Sequence, residues 1–147
     1  MAAVYKSRGI GLKESLLKLY GKFGCFTEKT VSVTMEGADG MEKMAKLMEE
    51  TAANPPKELG AVKFKALRNY KEQIRYDFIN GSTEAINMVS TNVLYFELSD
   101  GGFFIMRPSG TEPKIKFYYS VPSDSLKQGE EKIDAMNEIV KRNILKL

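Results

Sequence analysis

Apolar residues recur every three or four positions along residues 1–24, which predicts a helical region in this part of the chain. The spacing is interrupted near Gly9–Gly11, so we expect two helical pieces, and Gly24 is a suitable helix stop. The apolar positions of the second piece are Leu12, Leu16, Leu19, Tyr20 and Phe23. A helical pair of this kind must either pack on the rest of the chain or expose an apolar face.

The same spacing predicts two further helices. One starts at Asp39, a suitable N-cap that forms a capping-box pattern with Glu42, and it ends at Asn54-Pro55-Pro56. Its expected buried stripe is Met41, Met44, Ala45, Leu47 and Met48. The other helix is opened by Pro122-Ser123-Asp124. Its expected buried positions are Leu126, Ile133, Met136, Val140, Ile144 and Leu147.

Alternating apolar and polar residues, rich in β-branched and aromatic side chains, predict several strands. These segments are Thr30–Met35, Ala61–Leu67, Gln73–Ile79, Val93–Leu98, Phe103–Arg107 and Ile115–Val121. A Ser-Asp-Gly-Gly turn signal at 99–102 predicts a hairpin over Val93–Arg107, whereas the polar Gly81–Asn92 is an expected loop. The order of elements predicts an α+β fold, in which helices pack on one face of an antiparallel sheet.

The stretch from Arg107 to Lys114 (RPSGTEPK) joins the last two predicted strands and gathers hydrogen-bond donors that suit an anion. Pro108 keeps Arg107 extended, and Arg-Pro-Ser-Gly fits a type I turn. Successive backbone N–H groups around Ser109–Thr111 then converge into an anion-binding nest. The guanidinium and two hydroxyls supply further donors. These residues predict a phosphate-binding loop; the alternative is an ordinary turn beside a solvated arginine.

The alternation of side chains along the flanking strands predicts where the basic residues point. Arg107 shares a face with Phe103 and Ile105, so the pleat that packs two apolar residues also directs the guanidinium. After the loop, Lys114 and Lys116 share a face. Lys116 is therefore a candidate additional phosphate ligand, whereas Lys114 is either a ligand or a solvated charge at the rim.

The segment Lys57–Tyr76 is basic and carries interleaved aromatic residues. Six basic residues (57, 63, 65, 68, 71 and 75) accompany two acidic ones (58 and 72). This pattern is compatible with a stacking surface for single-stranded nucleic acid. We favour the alternative, a half-exposed edge strand whose lysines discourage association between sheets.

Composition narrows the class of protein. A length of 147 residues, with 43% hydrophobic and 28% charged residues, indicates one globular domain of ordinary size. The net charge of +3 is too small to indicate a nucleic-acid-binding protein by itself. The single cysteine, Cys25, excludes an intrachain disulfide and is expected to be a small buried apolar residue. A single cysteine also suits a reducing cytosol, so we expect a cytoplasmic protein. No apolar run approaches the length of a membrane span, so we expect no membrane partner.

The eight residues from Arg107 to Lys114, followed by Ile-Lys-Phe-Tyr, resemble the phosphate-binding loop in the C-terminal domain of the α-D-phosphohexomutases, the phosphoglucomutase/phosphomannomutase family. The resemblance implies a TATA-binding-protein-like fold. It also implies that residues 1–26 are the helical tail of a preceding domain, and that 27–147 form the C-terminal phosphate-binding domain. The phosphate-binding residues that it implies are Arg107, Ser109, Gly110, Thr111 and Lys116.

The resemblance implies that the parent enzyme interconverts hexose 1- and 6-phosphates through a phosphoserine and a bisphosphorylated intermediate, with Mg²⁺ as cofactor. The family uses Ser-His-Asn-Pro, Asp-x-Asp-x-Asp and Glu-x-Ser-Gly-type loops for this chemistry, and none of them is present in this sequence. The chain has no histidine, and its aspartates are scattered singly. We therefore expect no catalytic residue, no metal ligand and no mutase activity in the chain alone. Its expected partners are a hexose phosphate or bisphosphate and the remaining mutase domains.

Two other functions stay open at this point. The same loop would serve a stand-alone phosphosugar-binding or regulatory module. The segment Lys57–Tyr76 leaves a nucleic-acid-binding domain as a less favoured alternative, although we expect no nucleic-acid partner.

Overall fold

The computed structural model describes residues 2–7, 9 and 11–146. The strands are β1 (Cys25–Thr34), β2 (Glu58–Leu59), β3 (Val62–Asn69), β4 (Ile74–Asp77), β5 (Thr83–Ala85), β6 (Leu94–Leu98), β7 (Phe103–Pro108) and β8 (Lys114–Ser123). The helices are α1 (Ala2–Ser7), α2 (Leu12–Phe23), α3 (Gly40–Ala53) and α4 (Leu126–Ile139). A π-helical segment, Val140–Leu145, follows α4 directly.

The strands form one antiparallel sheet in the order β1-β8-β7-β6-β3-β4-β5, with β2 paired to β3. The predicted hairpin across residues 99–102 is confirmed, since β6 and β7 pair from Leu94↔Met106 to Glu97↔Phe103. The next hairpin joins β7 to β8, and β8 pairs with β1 over ten residues. The predicted α+β class is therefore confirmed, with the central hairpins presenting the bend between β7 and β8 at one end of the sheet.

The hydrophobic core lies between one face of the sheet and the helices α3 and α4. Phe96, Phe104 and Phe117 come from neighbouring strands and are fully buried, with ring centroids 5.7 and 6.0 Å apart along the series. Met48 of α3 and Ile133 of α4 belong to the same cluster. Burial of each such side chain contributes roughly 1.5–3 kcal/mol to stability.

The helices α3 and α4 leave the opposite face of the sheet uncovered. We call it the open face; it carries Tyr95, Ile105, Arg107, Lys116 and Tyr118, which alternate with the core residues along β6, β7 and β8. Arg107 and Lys116, which lie on the open face beside the β7–β8 bend, are two of the residues predicted from the sequence to bind an anion.

The N-terminal region consists of two helical pieces, as predicted. Gly24 ends α2 with φ +87°, and its N–H donates to the carbonyl of Tyr20 at 2.9 Å. Of the two alternatives for this helical pair, α2 exposes its apolar stripe: Leu12 is 65% and Phe23 66% exposed. None of the helices in the described part of the chain has the length and apolar character that a membrane crossing requires.

The predicted capping box at the start of α3 is wrong. Asp39 is the N-cap residue, but its φ of −94° and ψ of 8° differ from the extended backbone that lets a side chain reach the first helical amides. Its carboxylate instead lies 3.0 Å from Lys43 Nζ. Of the predicted buried stripe, Met44 and Met48 are buried, whereas Met41 is 43% exposed.

Two other expectations about strands and helices need correction. Because β4 and β5 extend the sheet beyond β3, that strand is interior, and its interpretation as an edge strand is wrong. In α4, Ile133 and Met136 are buried as predicted, but Leu126 in the first turn is 49% exposed. The last predicted apolar position, Leu147, lies outside the described residues.

Candidate functional site

The bend between β7 and β8 is wider than the sequence predicted. Strand pairing continues to Pro108↔Ile115, so β7 keeps its extended backbone past the arginine, and the type I turn predicted at 107–110 is wrong. The bond that closes the bend runs from the N–H of Ser109 to the carbonyl of Lys114, at 2.8 Å. The bend therefore consists of residues 109–113.

The Ser109 hydroxyl organises the inside of the bend. Its Oγ accepts hydrogen bonds from the backbone N–H groups of Thr111 at 3.4 Å and Glu112 at 3.3 Å. The predicted nest of free amides over 109–111 is therefore not formed: within the described chain, the N–H of Gly110 alone among these has no protein partner. Both bonds to Oγ are long for N–H···O contacts and hence weak, so an incoming anion can replace them at low cost.

Arg107 and Lys116 are directly opposite each other on β7 and β8. Both side chains are exposed on the open face, where Arg107 follows Phe103 and Ile105 as predicted. Neither forms an ion pair within the described part of the chain. The sheet register thus brings two basic side chains together beside the bend and leaves their charges unneutralised.

Lys114 differs from Lys116 in its electrostatic partner. Its Nζ lies 3.3 Å from Glu112 Oε2, inside the bend itself. The sequence left two interpretations open for Lys114, a phosphate ligand or a charge at the rim. This contact favours the charge at the rim, which the carboxylate of Glu112 offsets.

The basic segment 57–76 offers only part of the stacking surface considered from the sequence. Phe64, one of its interleaved aromatic residues, is buried in the core at 4% exposure. Arg68 and Arg75 both bind the carboxylate of Glu97, through Nε–Oε1 distances of 2.6 and 2.9 Å. Arg68 also lies over the ring of Tyr95, 5.6 Å from its centroid. Four of the six basic residues, at positions 65, 68, 71 and 75, therefore form ion pairs with carboxylates of the protein.

Glu97 is the charged residue that sequence reasoning missed. It is 8% exposed, and the hydrogen bond from Arg75, followed by that from Arg68, lowers the pKa of its carboxyl from 4.5 to about 2. Its partners are 22 and 29 residues away in the chain, so no local pattern indicates the cluster. The available signal was a lone acidic residue inside the apolar run Val93–Leu98.

Surface grooves are also found away from the bend. One of about 950 Å³ is lined by Gly24, Cys25, Ser99, Asp100 and Lys132, among others, at the end of the sheet where β7 begins. Cys25 is 5% exposed, which confirms its prediction as a small buried residue. Among the described residues, no group of three or more histidine, cysteine or carboxylate side chains is gathered so that it could hold a metal ion. The candidate anion site is thus an open surface.

A family model matches residues 31–135, well over half of the chain and including the whole bend with both flanking basic residues. Its description is "Phosphoglucomutase/phosphomannomutase, C-terminal domain". The chain belongs to this family. The resemblance to this family, which was predicted from the bend and the strand after it, is therefore confirmed over residues 31–135.

Relatives of this mutase domain are longer proteins. The phosphoglucomutases of Staphylococcus aureus strains bovine RF122 / ET3-1 and N315 are each 36% identical over 135 residues, which is 92% of this chain and 24% of the relative. This chain therefore spans about a quarter of the length of the curated relatives that it matches. The crystal structure of the exocytosis-sensitive phosphoprotein pp63/parafusin, a phosphoglucomutase from Paramecium in an open form, aligns with a TM-score of 0.48 at 16% identity, covering 95% of this chain and 26% of that one.

Proposed function

We propose that this chain is the phosphate-binding C-terminal domain of a phosphohexomutase, which interconverts hexose 1- and 6-phosphates through a phosphoserine and a bisphosphorylated intermediate. The observation that carries the proposal is the exposed pair Arg107 and Lys116, which has no carboxylate partner in the described chain. Like charges directly opposite each other destabilise an antiparallel pair. A bound phosphate dianion converts this repulsion into two charge-assisted contacts.

The bend supplies the remaining donors. The N–H of Gly110 and the hydroxyls of Ser109 and Thr111 lie on its exposed or half-exposed surface, next to Arg107 and Lys116 in sequence and in the sheet. Charge-assisted hydrogen bonds contribute about 1.5–3 kcal/mol each, against an association cost of about 4–15 kcal/mol. We therefore expect binding of inorganic phosphate to the isolated chain in the millimolar range.

The rest of the mutase chemistry is assigned to parts of the enzyme outside this chain. Its relatives are about four times as long, and the described residues gather no metal cluster. The phosphoserine, the Mg²⁺ site and the sugar-reading loop would come from those parts, in a cytoplasmic enzyme. This domain would hold the phosphate that does not react, while residues 1–26 continue the preceding domain, consistent with the exposed apolar stripe of α2.

The test is a titration of the 147-residue chain with inorganic phosphate, followed by backbone amide NMR shifts. We expect the largest shifts at Gly110 and Thr111, and a dissociation constant at least about tenfold higher for Arg107→Ala. Arg142→Ala is the matched control, because it removes another exposed arginine, from the π-helical segment. Glucose 1-phosphate should not be turned over by the chain alone.

Three outcomes would contradict the proposal. Amide shift changes located away from residues 109–111 would mean that phosphate does not bind at the bend. If Arg107→Ala and Arg142→Ala weakened phosphate binding equally, the loss of affinity would come from the change in net charge and not from a specific contact. Turnover by the purified chain would show that the assignment of catalysis to other domains is wrong.

A further inference from the structure

The bend at 109–113 is supported from the helix side by the start of α3. The N–H of Met35, the first residue after β1, donates to the carbonyl of Pro113 at 2.7 Å. Gly40, the first residue of α3, is buried against the same proline. A Cβ built on Gly40 would lie 2.9 Å from Pro113 Cβ and in direct overlap with the carbonyl oxygen of Met35. The chain therefore leaves no room for a side chain at position 40.

Position 40 requires glycine because neighbouring atoms occupy the space that a side chain would need. Its φ lies outside the positive range, where glycine would be favoured for its backbone alone, whereas Gly37 just before it has φ +100°. Real Cβ atoms are not found as close to neighbours as the one built at Gly40. Any side chain at this position must therefore displace either the end of β1 or Pro113.

Displacement of Pro113 would be passed on directly to the candidate phosphate ligands. Pro113 precedes Lys114, whose carbonyl accepts the closing hydrogen bond from Ser109 N–H. Ser109 Oγ in turn accepts the weak hydrogen bonds from the N–H groups of Thr111 and Glu112. A shift at Pro113 therefore changes the separation between the two ends of the bend, and with it the direction of the Gly110 N–H.

We infer that Gly40 is a positioning residue for phosphate binding: by omitting a side chain, it lets α3 and the end of β1 clamp Pro113 and hold the bend in its binding geometry. The effect on phosphate rests on the function proposed above, whereas the clamp itself does not. Gly40 touches no ligand in this scheme and acts only through Pro113. A displacement of order 1 Å at a positioning element is sufficient to lose a large part of the interaction it supports.

The test compares Gly40→Ala with Gly102→Ala in the 147-residue chain. Gly102 is a close match, because it too is buried and a Cβ there would overlap a backbone carbonyl oxygen, that of Ser120. It lies at the opposite end of β7 from the bend. We expect both substitutions to lower stability against urea. Only Gly40→Ala should accelerate hydrogen exchange of the Met35 and Ser109 amides by at least about tenfold beyond the global change, and weaken phosphate binding about tenfold.

Hydrogen exchange and phosphate affinity, measured separately, distinguish failure of this inference from failure of the proposed function. If the unsubstituted chain shows no phosphate-dependent shift, the proposed function fails, and hydrogen exchange without phosphate still decides whether Gly40 fixes the bend. If exchange and phosphate affinity change equally in both variants, Gly40 is an ordinary packing residue and the inference is overturned. Should Gly40→Ala not fold, Pro113→Gly keeps the carbonyl that Met35 binds and removes the Cβ that lies against Gly40. The same local acceleration is then expected, and its absence would equally overturn the clamp.

Discussion

Arg107 and Lys116 lie side by side because the antiparallel register of β7 and β8 places them opposite each other, one residue before the end of β7 and two residues after the start of β8. Side chains in such pairs have Cβ atoms roughly 4.5–5.5 Å apart, so two like charges in this arrangement repel unless an anion lies between them. Lys114 has the same charge two residues earlier, but Glu112 offsets it. Two lysines of one strand therefore have different electrostatic surroundings.

This difference predicts unequal effects of removing the two lysines. Lys116→Met should raise the dissociation constant for inorganic phosphate about tenfold, which corresponds to the loss of one charge-assisted contact. Lys114→Met should raise it less than about threefold, because the charge that it removes is already balanced by a carboxylate. Titration of both variants by amide shifts at Gly110, at one ionic strength, measures the two effects. A larger effect at Lys114 would contradict the ligand assignment.

At the level of single residues, the sequence predicted on which face of the sheet the basic side chains lie. The pleat alone placed Arg107 with Phe103 and Ile105, because strand alternation is independent of the rest of the fold. The hydrogen bonds inside the bend could not be predicted in the same way. Whether Ser109 Oγ binds a ligand or its own backbone depends on the width of the bend, and the pairing of Pro108 with Ile115 sets that width.

Among the elements, the hairpins and the helices were predictable because their signals are local. The Ser-Asp-Gly-Gly turn and the apolar spacing of α3 and α4 each lie within one short segment. The position of β3 in the sheet was not predictable, because β3 is an interior strand only through the pairing of β4 and β5 beyond it. Contacts between distant segments, such as Gly40 with Pro113, are likewise absent from any local pattern.

The helix α2 buries little of its apolar surface against the rest of the chain. Leu16 is 45% exposed and lies on the stripe with Leu12, Leu19 and Phe23. We therefore expect Leu16→Gln to change the free energy of unfolding by less than about 0.5 kcal/mol. Leu67→Ala, at a fully buried position of β3, should cost about 2–5 kcal/mol in the same urea titration. A loss above about 1 kcal/mol for Leu16→Gln would mean that α2 packs on the sheet in solution, and would count against a contact with a preceding domain.

For the molecule as a whole, the sheet is held together on the open face by charge and on the other face by the core. Glu97 of β6 binds Arg68 of β3 and Arg75 of β4, so one buried carboxylate connects three adjacent strands. Its partners lower its pKa to about 2, below the ordinary value of 4.5 expected in the unfolded chain. The folded state therefore binds fewer protons than the unfolded state between these pH values, so stability must fall as pH decreases through this window.

Replacement of Glu97 should reveal that dependence on pH. At pH 6, Glu97→Gln should lower the free energy of unfolding by about 3 kcal/mol, because two arginines lose a charged partner that is largely shielded from water. The difference from the unsubstituted chain should shrink as the pH falls from about 5 towards 2, where Glu97 itself becomes protonated on unfolding. Urea titrations at several pH values measure this difference. Glu84→Gln is the control, since Glu84 is 65% exposed, lies 3.9 Å from Arg75 Nη1, and should change stability by less than about 1 kcal/mol at any pH. Parallel pH curves for the Glu97 variant and the unsubstituted chain would show that the ion-pair cluster contributes nothing to acid stability.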